Sequence, residues 1–312
     1  MTLAQAPLLV DGASHSAQTF RMMIRDLSRG GEGITEGADL KVRPLPTPGP
    51  GVEVGNGSGV IRGRANAWQG SYTAYNIGTA TVPVASTGAT PRSDLLVLRV
   101  TDPEYEGGLD PAKDTINTFE VIPNVSPAAT KVPDGVTGIA LARLDLPAST
   151  ATVTAAMITD LRSVANPRSE AHIFTASPTS DDNYKGTGYK WAVWPRIARW
   201  QVAVPHWAVR ARVKMTLAGI QLIGGTIYGG TAFQLGPVVG QSVVIDSAWP
   251  GGDYSERLHL ISADTLAIPE SLRGTTQWLE HRVARADGVN GYLQADVATT
   301  AIGEVAFEEG PM

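Results

Sequence analysis

Glycine and proline interrupt this chain at short intervals, and this punctuation constrains its fold more than any other feature. The 312 residues include 34 glycines and 21 prolines, scattered without a fixed period. Such a distribution excludes a collagen-like repeat and favours many short strands joined by turns. The chain is also long enough for two domains that each bury a core. We therefore expect a mainly β protein of two domains.

The first element breaks this pattern, because HSAQTFRMMIRDLSRGG has helical periodicity. Its apolar residues recur at helical spacing, Ser16 is placed to cap the N-terminus, and the glycine pair at 30–31 can end the helix. The apolar positions are Phe20, Met23, Ile24 and Leu27. We expect a short amphipathic helix that covers a sheet within a β-sandwich-like domain spanning residues 1–165.

The segment PRSDLLVLRVTDPEY, residues 91–105, contains an unbroken apolar run with charges at both ends. Both faces of this strand are apolar, so we expect it inside a sheet and not at its edge. Its charged residues Asp94 and Arg99 are expected to form structural ion pairs, Asp94 with Arg92 or a sequence neighbour. The candidate partners of Arg99 are Asp145 and Asp160.

The polar segment VANPRSEA, residues 164–171, separates two regions of different composition, and we place the domain boundary there. Beyond it, about eight short strand patterns follow with glycine turns and no intervening helix. This arrangement is typical of an antiparallel, jelly-roll-like β-sandwich. The second domain is expected to span residues 166–312.

Six of the seven tryptophans lie after this boundary, and only Trp68 precedes it. A tryptophan face offers sugar C–H groups a flat apolar platform, while nearby polar groups can bond the hydroxyls. Tryptophans at strand spacing are also common in cores, and that alternative stays open. The loop WPGGDY is the most suitable position for sugar contact. The candidate carbohydrate-binding residues are Trp249, Tyr254, Trp191, Trp194 and Trp207.

The segment WAVRARVKM alternates apolar and basic residues and predicts one strand with a basic outer face. Its outward residues are Arg210, Arg212 and Lys214. This positive row could contact anionic cell-wall polymers, or it could form ion pairs with neighbouring strands or subunits.

Several classes of function lack support in the sequence. A net charge of −5 without a basic tail argues against general nucleic-acid binding. The absence of cysteine removes disulfides, thiolate zinc sites and cysteine nucleophiles. The five histidines are widely spaced, so no metal and no cofactor are expected. The sequence has neither a signal-peptide pattern nor a stretch of about 20 apolar residues, so no membrane insertion is expected.

Common hydrolase signatures are also missing, including G-x-S-x-G, H-E-x-x-H and the P-loop. We therefore expect a protein without enzymatic activity. A glycan-degrading enzyme stays open as an alternative, because the carboxylate pair of a glycosidase needs no local sequence motif.

Four segments in order carry a resemblance to a known family. They are HSAQTFRMMIRDL, GADLKVRPLPTPGPGVEVGNGSGVIRG, PRSDLLVLRVTDPEY and GIALARLDLPASTATVTAAMITDLR. Over residues 1–165 the chain resembles minor tail and baseplate (tail-tip) proteins of long-tailed phages that infect actinobacteria. The resemblance implies a structural virion protein, made in the host cytoplasm and located at the tail tip. It also implies docking on other tail-tip or baseplate proteins and a homo-oligomer, usually a trimer.

The second domain, residues 166–312, carries no such resemblance. Its position and composition make it a candidate receptor-binding head for host cell-wall glycan. The alternatives are a purely structural role in baseplate assembly and, with less support, an enzyme that degrades the glycan.

Overall fold

The computed structural model describes residues 11–247 and 255–312, and it divides the chain into two compact units. Unit 1 comprises Met1–Pro167 together with Pro311–Met312, and unit 2 comprises Arg168–Gly310. This division falls two residues beyond the boundary expected from the sequence, and the last two residues return to unit 1. None of the helices described is both long and apolar enough to cross a membrane.

Unit 1 contains one α-helix, one short 3-10 helix and ten strands within its described residues. These are α1 (Ala17–Leu27), β1 (Gly33–Ile34), β2 (Val42–Pro44), β3 (Gly51–Val54), β4 (Gly57–Arg62), β5 (Ser71–Asn76), β6 (Ala80–Pro83), β7 (Arg92–Val100), β8 (Asn117–Ile122), β9 (Gly138–Leu146), the 3-10 helix Ala155–Met157 and β10 (Ile158–Asp160). The strands form three antiparallel sheets, in the orders β1-β4-β5, β2-β3-β6 and β10-β9-β7-β8.

Strand β7 is the apolar run singled out in the sequence, and it lies inside its sheet as predicted. It pairs with β8 on one side and with β9 on the other. Its residues from Ser93 to Leu98 are buried. Both faces therefore contribute to burial, which explains why the sequence shows no apolar–polar alternation here.

The helix α1 begins where the sequence predicts and packs against β5, but its predicted apolar face is only partly covered. The side chain of the N-cap Ser16 accepts a hydrogen bond from the Thr19 N–H at 3.2 Å. Phe20 is 43% exposed and Leu27 is 72% exposed, whereas Met23 and Ile24 are half-buried, so the prediction for this face was wrong at Phe20 and Leu27 only. The helix residue that packs inward is Arg21, which is 7% exposed.

Arg21 holds the helix through charge and hydrogen bonds. Its Nε donates to the Gln69 carbonyl oxygen at 2.9 Å, and its Nη1 lies 3.3 Å from an Asp102 carboxylate oxygen. The guanidinium carbon lies 5.5 and 5.3 Å from the ring centroids of Tyr72 and Tyr105. Burial and the hydrogen bond to Asp102 raise the pKa of Tyr72 well above its usual range. A polar network therefore anchors this helix in addition to its half-buried apolar residues.

Unit 2 has twelve strands among its described residues. These are β11 (Ser169–Ala176), β12 (Asp182–Tyr184), β13 (Ala192–Val193), β14 (Arg199–Ala203), β15 (Ala208–Ile223), β16 (Ile227–Leu235), β17 (Val238–Val239), β18 (Val243–Ser247), β19 (Ser255–Ala267), β20 (Thr276–Arg285), β21 (Tyr292–Ala295) and β22 (Thr300–Glu309). A 3-10 helix spans Glu270–Leu272.

These strands form two antiparallel sheets of six strands each. Sheet 1 has the order β11-β22-β15-β21-β12, and β19 also pairs with β15. Sheet 2 has the order β13-β20-β16-β17, with β14 on β20 and β18 on β16. Met215 and Phe307 of sheet 1 share a core with Phe233 and Leu279 of sheet 2. The prediction of a mainly β chain with an antiparallel sandwich in its second half is confirmed.

Candidate functional site

Two of the tryptophans proposed as sugar platforms lie in the core of unit 2. Trp194 is 2% exposed, and its Nε1 donates to the Asp182 carbonyl oxygen at 3.2 Å. Trp207 is 8% exposed, with the Arg168 guanidinium 5.5 Å from its ring centroid. A ring enclosed by protein offers no face to a sugar, so these two predictions were wrong. The candidates Trp249 and Tyr254 lie outside the described residues.

Trp191 is half-buried and lies against the outer side of sheet 2. A Cβ atom placed on Gly230 of β16 would lie 3.0 Å from the Trp191 ring. The missing side chain at Gly230 therefore leaves the space in which the indole rests on the strand. Of the predicted aromatic residues that the structure describes, Trp191 alone lies against an outer face.

Two exposed tyrosines accompany Trp191, and the sequence reasoning missed both. Tyr189 is 43% exposed, Tyr228 is 44% exposed, and their ring centroids are 6.3 Å apart. Tyr228 lies two residues before Gly230 on β16, so the two positions share one face. The sequence feature that could have indicated them is the glycine pair directly after Tyr228, because glycines within a strand mark a place where another group packs close to the backbone. We call Tyr189, Trp191 and Tyr228 the aromatic cluster.

A row of polar side chains continues from this cluster across the same face of sheet 2. Arg282 Nη1 donates to the Gln234 side-chain oxygen at 2.7 Å, and Gln234 Nε2 donates to Glu280 at 2.7 Å. Arg199 Nε lies 2.6 Å from the other Glu280 oxygen. These four residues form the polar ladder, in which each side chain is oriented by the next.

The polar ladder ends at a further aromatic residue. Trp278 is 38% exposed, and the Arg199 guanidinium lies 3.9 Å from its ring centroid. At the other end, Arg282 Nη2 donates to the Trp191 carbonyl oxygen at 3.1 Å. From Trp278 to the position of β20 beside Gly230 is six residues, or about 20 Å at the rise of a strand. We call the aromatic cluster, the polar ladder and Trp278 together the outer face.

The outer face combines the two kinds of group that saccharide recognition uses. Aromatic rings at both ends can pack against the apolar side of sugar rings. Guanidinium and amide groups lie between them and can bond hydroxyls, whereas the Glu280 carboxylate is buried beneath them. Glu280 already accepts bonds from Arg199 and Gln234, so its charge is balanced within the ladder. The arrangement favours binding of an elongated polar ligand over chemistry on it.

The charged residues of β7 act within unit 1. Arg92 Nε lies 2.8 Å from Asp94 Oδ2, and the Asn124 N–H donates to Asp94 Oδ1 at 3.0 Å. Arg99 pairs with Glu106 and, at 2.8 Å, with Glu120.

The partners expected for Arg99 were wrong. Asp145 contacts Arg143, and Asp160 contacts Arg162, each at 2.8 Å. The register explains the difference, because Arg99 lies opposite Thr118 on β8, two residues from Glu120. On β9, Asp145 lies opposite Ser93, six residues from Arg99.

Most of the basic row on β15 is paired within sheet 1. Arg212 lies 2.6 Å from Glu308, and Lys214 lies 3.1 Å from Glu304. Arg210 has no ion pair in the part of the chain that the structure describes. Across residues 11–247 and 255–312, no group of three or more histidine and carboxylate side chains could hold a metal ion.

Comparison with known proteins adds no family. No protein-family model matches this chain, and no curated protein does. Among solved structures it is similar to a chain in the structure of the infectious bursal disease virus Gx strain, at 12% identity and a TM-score of 0.26. The match covers 89% of this chain and 75% of the viral chain. The VP2 subviral particle of the same virus matches at 12% identity and a TM-score of 0.26, over 93% of this chain and 82% of the VP2 chain. The Bacillus thuringiensis insecticidal crystal protein Cry7Ca1 matches at 9% identity and a TM-score of 0.18, over 94% of this chain and 55% of the Cry7Ca1 chain. Likenesses this distant carry no argument about function.

Proposed function

We propose that this chain is a structural protein of a phage tail tip, and that unit 2 contributes to host attachment by binding cell-surface glycan. The observation that carries the binding proposal is the outer face, with aromatic rings at both ends of a polar ladder. The tail-tip assignment rests on the four ordered segments within residues 1–165. In this proposal the protein is non-enzymatic and assembles with other tail-tip proteins.

The spacing of the outer face favours an oligosaccharide over a single sugar. A lone sugar ring would occupy the aromatic cluster or Trp278 but not both, because about 20 Å separate them. A chain of sugars could contact both ends while its hydroxyls meet the ladder between them. Binding should therefore increase with glycan length until both ends are engaged.

A glycan array probed with the purified protein tests the binding proposal. Loss of one stacking ring costs about 1 kcal/mol beyond its lost contact area, so Tyr228→Ala and Trp278→Ala should each weaken binding several-fold or more. Trp68→Ala is a matched control, because Trp68 is 63% exposed and belongs to unit 1. Binding that survives both unit 2 substitutions would refute the role of the outer face.

The tail-tip assignment needs a separate measurement. Electron microscopy of particles labelled with an antibody against this chain should show label at the tip of the tail. Label on the capsid, or none on intact particles, would contradict the assignment without affecting the binding result.

A purely structural role in assembly is the second candidate, and one observation favours it. Phe20 and Leu27 of α1 are exposed within the part of the chain that the structure describes, and large apolar side chains on one exposed face suit an assembly contact. Under this alternative, Leu27→Glu would impair particle assembly, whereas Tyr228→Ala particles would assemble and also adsorb normally. Normal assembly with reduced adsorption of Tyr228→Ala particles would support the attachment role.

An enzyme that degrades glycan is the third candidate, and it would need a carboxylate such as Glu280. The non-enzymatic proposal predicts no new reducing ends when the protein is incubated with a glycan it binds. Release that Glu280→Gln abolishes would replace the attachment proposal with hydrolysis.

A further inference from the structure

The solvent side of sheet 1 carries isoleucines beside small residues on its strands β11, β22, β15 and β19, together with charged residues on the two central strands β22 and β15. Ile173 is 72% exposed and Ile261 is 50% exposed, and Ile302 shares their face. Much of the remaining surface is small, and a shallow depression of about 670 Å³ lies over it. We call this surface the isoleucine face. Large apolar side chains beside small ones suit packing against another sheet better than contact with water.

We propose that a second copy of this chain packs on the isoleucine face, around a two-fold axis that runs parallel to the strands between β22 and β15. Such an axis places β22 of one copy over β15 of the other, and β11 over β19. It keeps each position at the same height along the strands. Residues that lie in register across the strands form a row, and each row of one copy therefore meets the same row of the other.

The two central strands, β22 and β15, supply charge complementarity. Glu304 on β22 lies in register with Lys214 on β15, so the axis brings Glu304 of each copy against Lys214 of the other. Four residues further along each strand, Glu308 lies in register with Arg210 and would meet it across the axis. Arg210, which has no ion pair among the described residues, gains one in this arrangement. The acidic strand of each copy thus faces the basic strand of its partner.

The outer strands supply complementarity of size. Ile173 on β11 shares a row with Ala263 on β19, so each isoleucine would fit over the alanine of the other copy. In the next row, Ile261 on β19 would fit over Thr175 on β11. Packed sheets cross at about 30°, so this matching is closest in the central rows.

The dimensions of the face suit a specific contact of modest size. Four strands span about 19 Å, and the eight steps from Arg210 to Ala218 span about 26 Å. This is about 500 Å² of flat surface on each copy, at the low end for a specific interface. The contact is isologous and joins two copies, so it differs from the threefold arrangement that the tail-tip resemblance implies.

Charge exchange tests the proposed pairing with the full chain. Lys214→Glu should place like charges across the axis and weaken self-association at least ten-fold in sedimentation velocity, and Glu304→Lys should do the same. An equimolar mixture of these two variants should associate again, because each introduced charge then meets an opposite one. A change confined within one chain would not be rescued by mixing.

Crosslinking gives a second readout, because the chain contains no cysteine. Packed sheets lie about 10 Å apart, which is too far for a direct disulfide. Ile173→Cys with Ala263→Cys should therefore yield covalent dimers with a short bismaleimide that spans less than about 10 Å between sulfur atoms. Within one copy these positions are three strand spacings apart, about 14 Å, which is beyond the reach of this reagent. Ile173→Cys with Ala267→Cys is the control, since it shifts one thiol four residues, or about 13 Å, along the strand.

Formation of dimers by the first pair and not by the second, together with rescue on mixing, would support the proposal. A monomeric chain at all concentrations tested would overturn it. Dimers that ignore both charge substitutions would also overturn it, since the contact would then lie elsewhere. These outcomes are independent of the glycan and tail-tip results.

Discussion

Acidification from pH 8 to pH 5 should destabilise unit 2 through one buried histidine, His281. The side chain is fully buried on β20. Its Nδ1 lies 2.7 Å from the Trp194 carbonyl oxygen, and its Nε2 lies 2.7 Å from Thr231 Oγ1. A carbonyl oxygen only accepts, so Nδ1 carries the proton and Nε2 accepts from the threonine hydroxyl. The neutral ring satisfies both partners.

The magnitude follows from the cost of charging this ring. Burial lowers the pKa of His281 from 6.5 to about 4. The unfolded chain therefore binds a proton below pH 6.5 that the folded protein does not bind. The stabilisation is fully present above pH 6.5 and is lost as the pH falls toward 4. Linkage gives a loss of about 2 kcal/mol by pH 5 and about 3 kcal/mol in total.

Urea unfolding followed by tryptophan fluorescence measures this effect, because six of the seven tryptophans follow the domain boundary. Curves at several values between pH 8 and pH 5 give the free energy of unfolding at each. His281→Gln removes the titrating group while keeping an amide donor for the Trp194 carbonyl. This variant should be less stable at pH 8 but should lack the loss of about 2 kcal/mol on acidification. His259→Gln, at an exposed position, is the matched control.

The reasoning would be refuted by equal pH dependence in the parent protein and His281→Gln. The histidine would then be either accessible to protons in the folded state or already neutral in the unfolded state. A His259→Gln variant that also lost the pH dependence would show that the effect is not specific to the buried ring.

Three further substitutions test the packing described above. Arg21→Met should destabilise unit 1 by about 3 kcal/mol in urea unfolding, because it leaves the Asp102 carboxylate without its buried cationic partner, and an unchanged midpoint would contradict this. Arg99→Met should cost only about 1 kcal/mol, because both its carboxylate partners are 37% exposed, and it should leave glycan binding unaffected. Trp194→Ala should lower the stability of unit 2 by about 3 to 5 kcal/mol, and a stable variant that fails only in glycan binding would return Trp194 to the list of sugar contacts.

The strand content of this protein could be predicted from local pattern. The two-faced apolar run of β7 predicted a strand with neighbours on both sides, and β8 and β9 supply them. Alternation predicted β15, with Arg212 and Lys214 outward and Val213 inward. These features depend only on the polarity of successive residues and on the two-residue period of a strand, both of which can be read from a single strand.

The functional surfaces depended on contacts between strands far apart in sequence. The sequence showed that tryptophans are concentrated in the second half, but not that Trp194 and Trp207 would be enclosed while Trp278 stayed partly exposed. Burial of an aromatic ring is decided by which segments pack over it. The pairing of Tyr189 with Tyr228 arises for the same reason.

The sequence by itself determined a mainly β chain, the position of its single predicted helix and the strands whose apolar pattern is local. Only the tertiary structure decided the partners of its charges and the use of its surfaces. Arg99 meets Glu120 because of the register of β7 on β8, and α1 is held by Arg21 while Phe20 and Leu27 stay exposed. Register and packing are set by the whole sheet, so no local window of the sequence contains them.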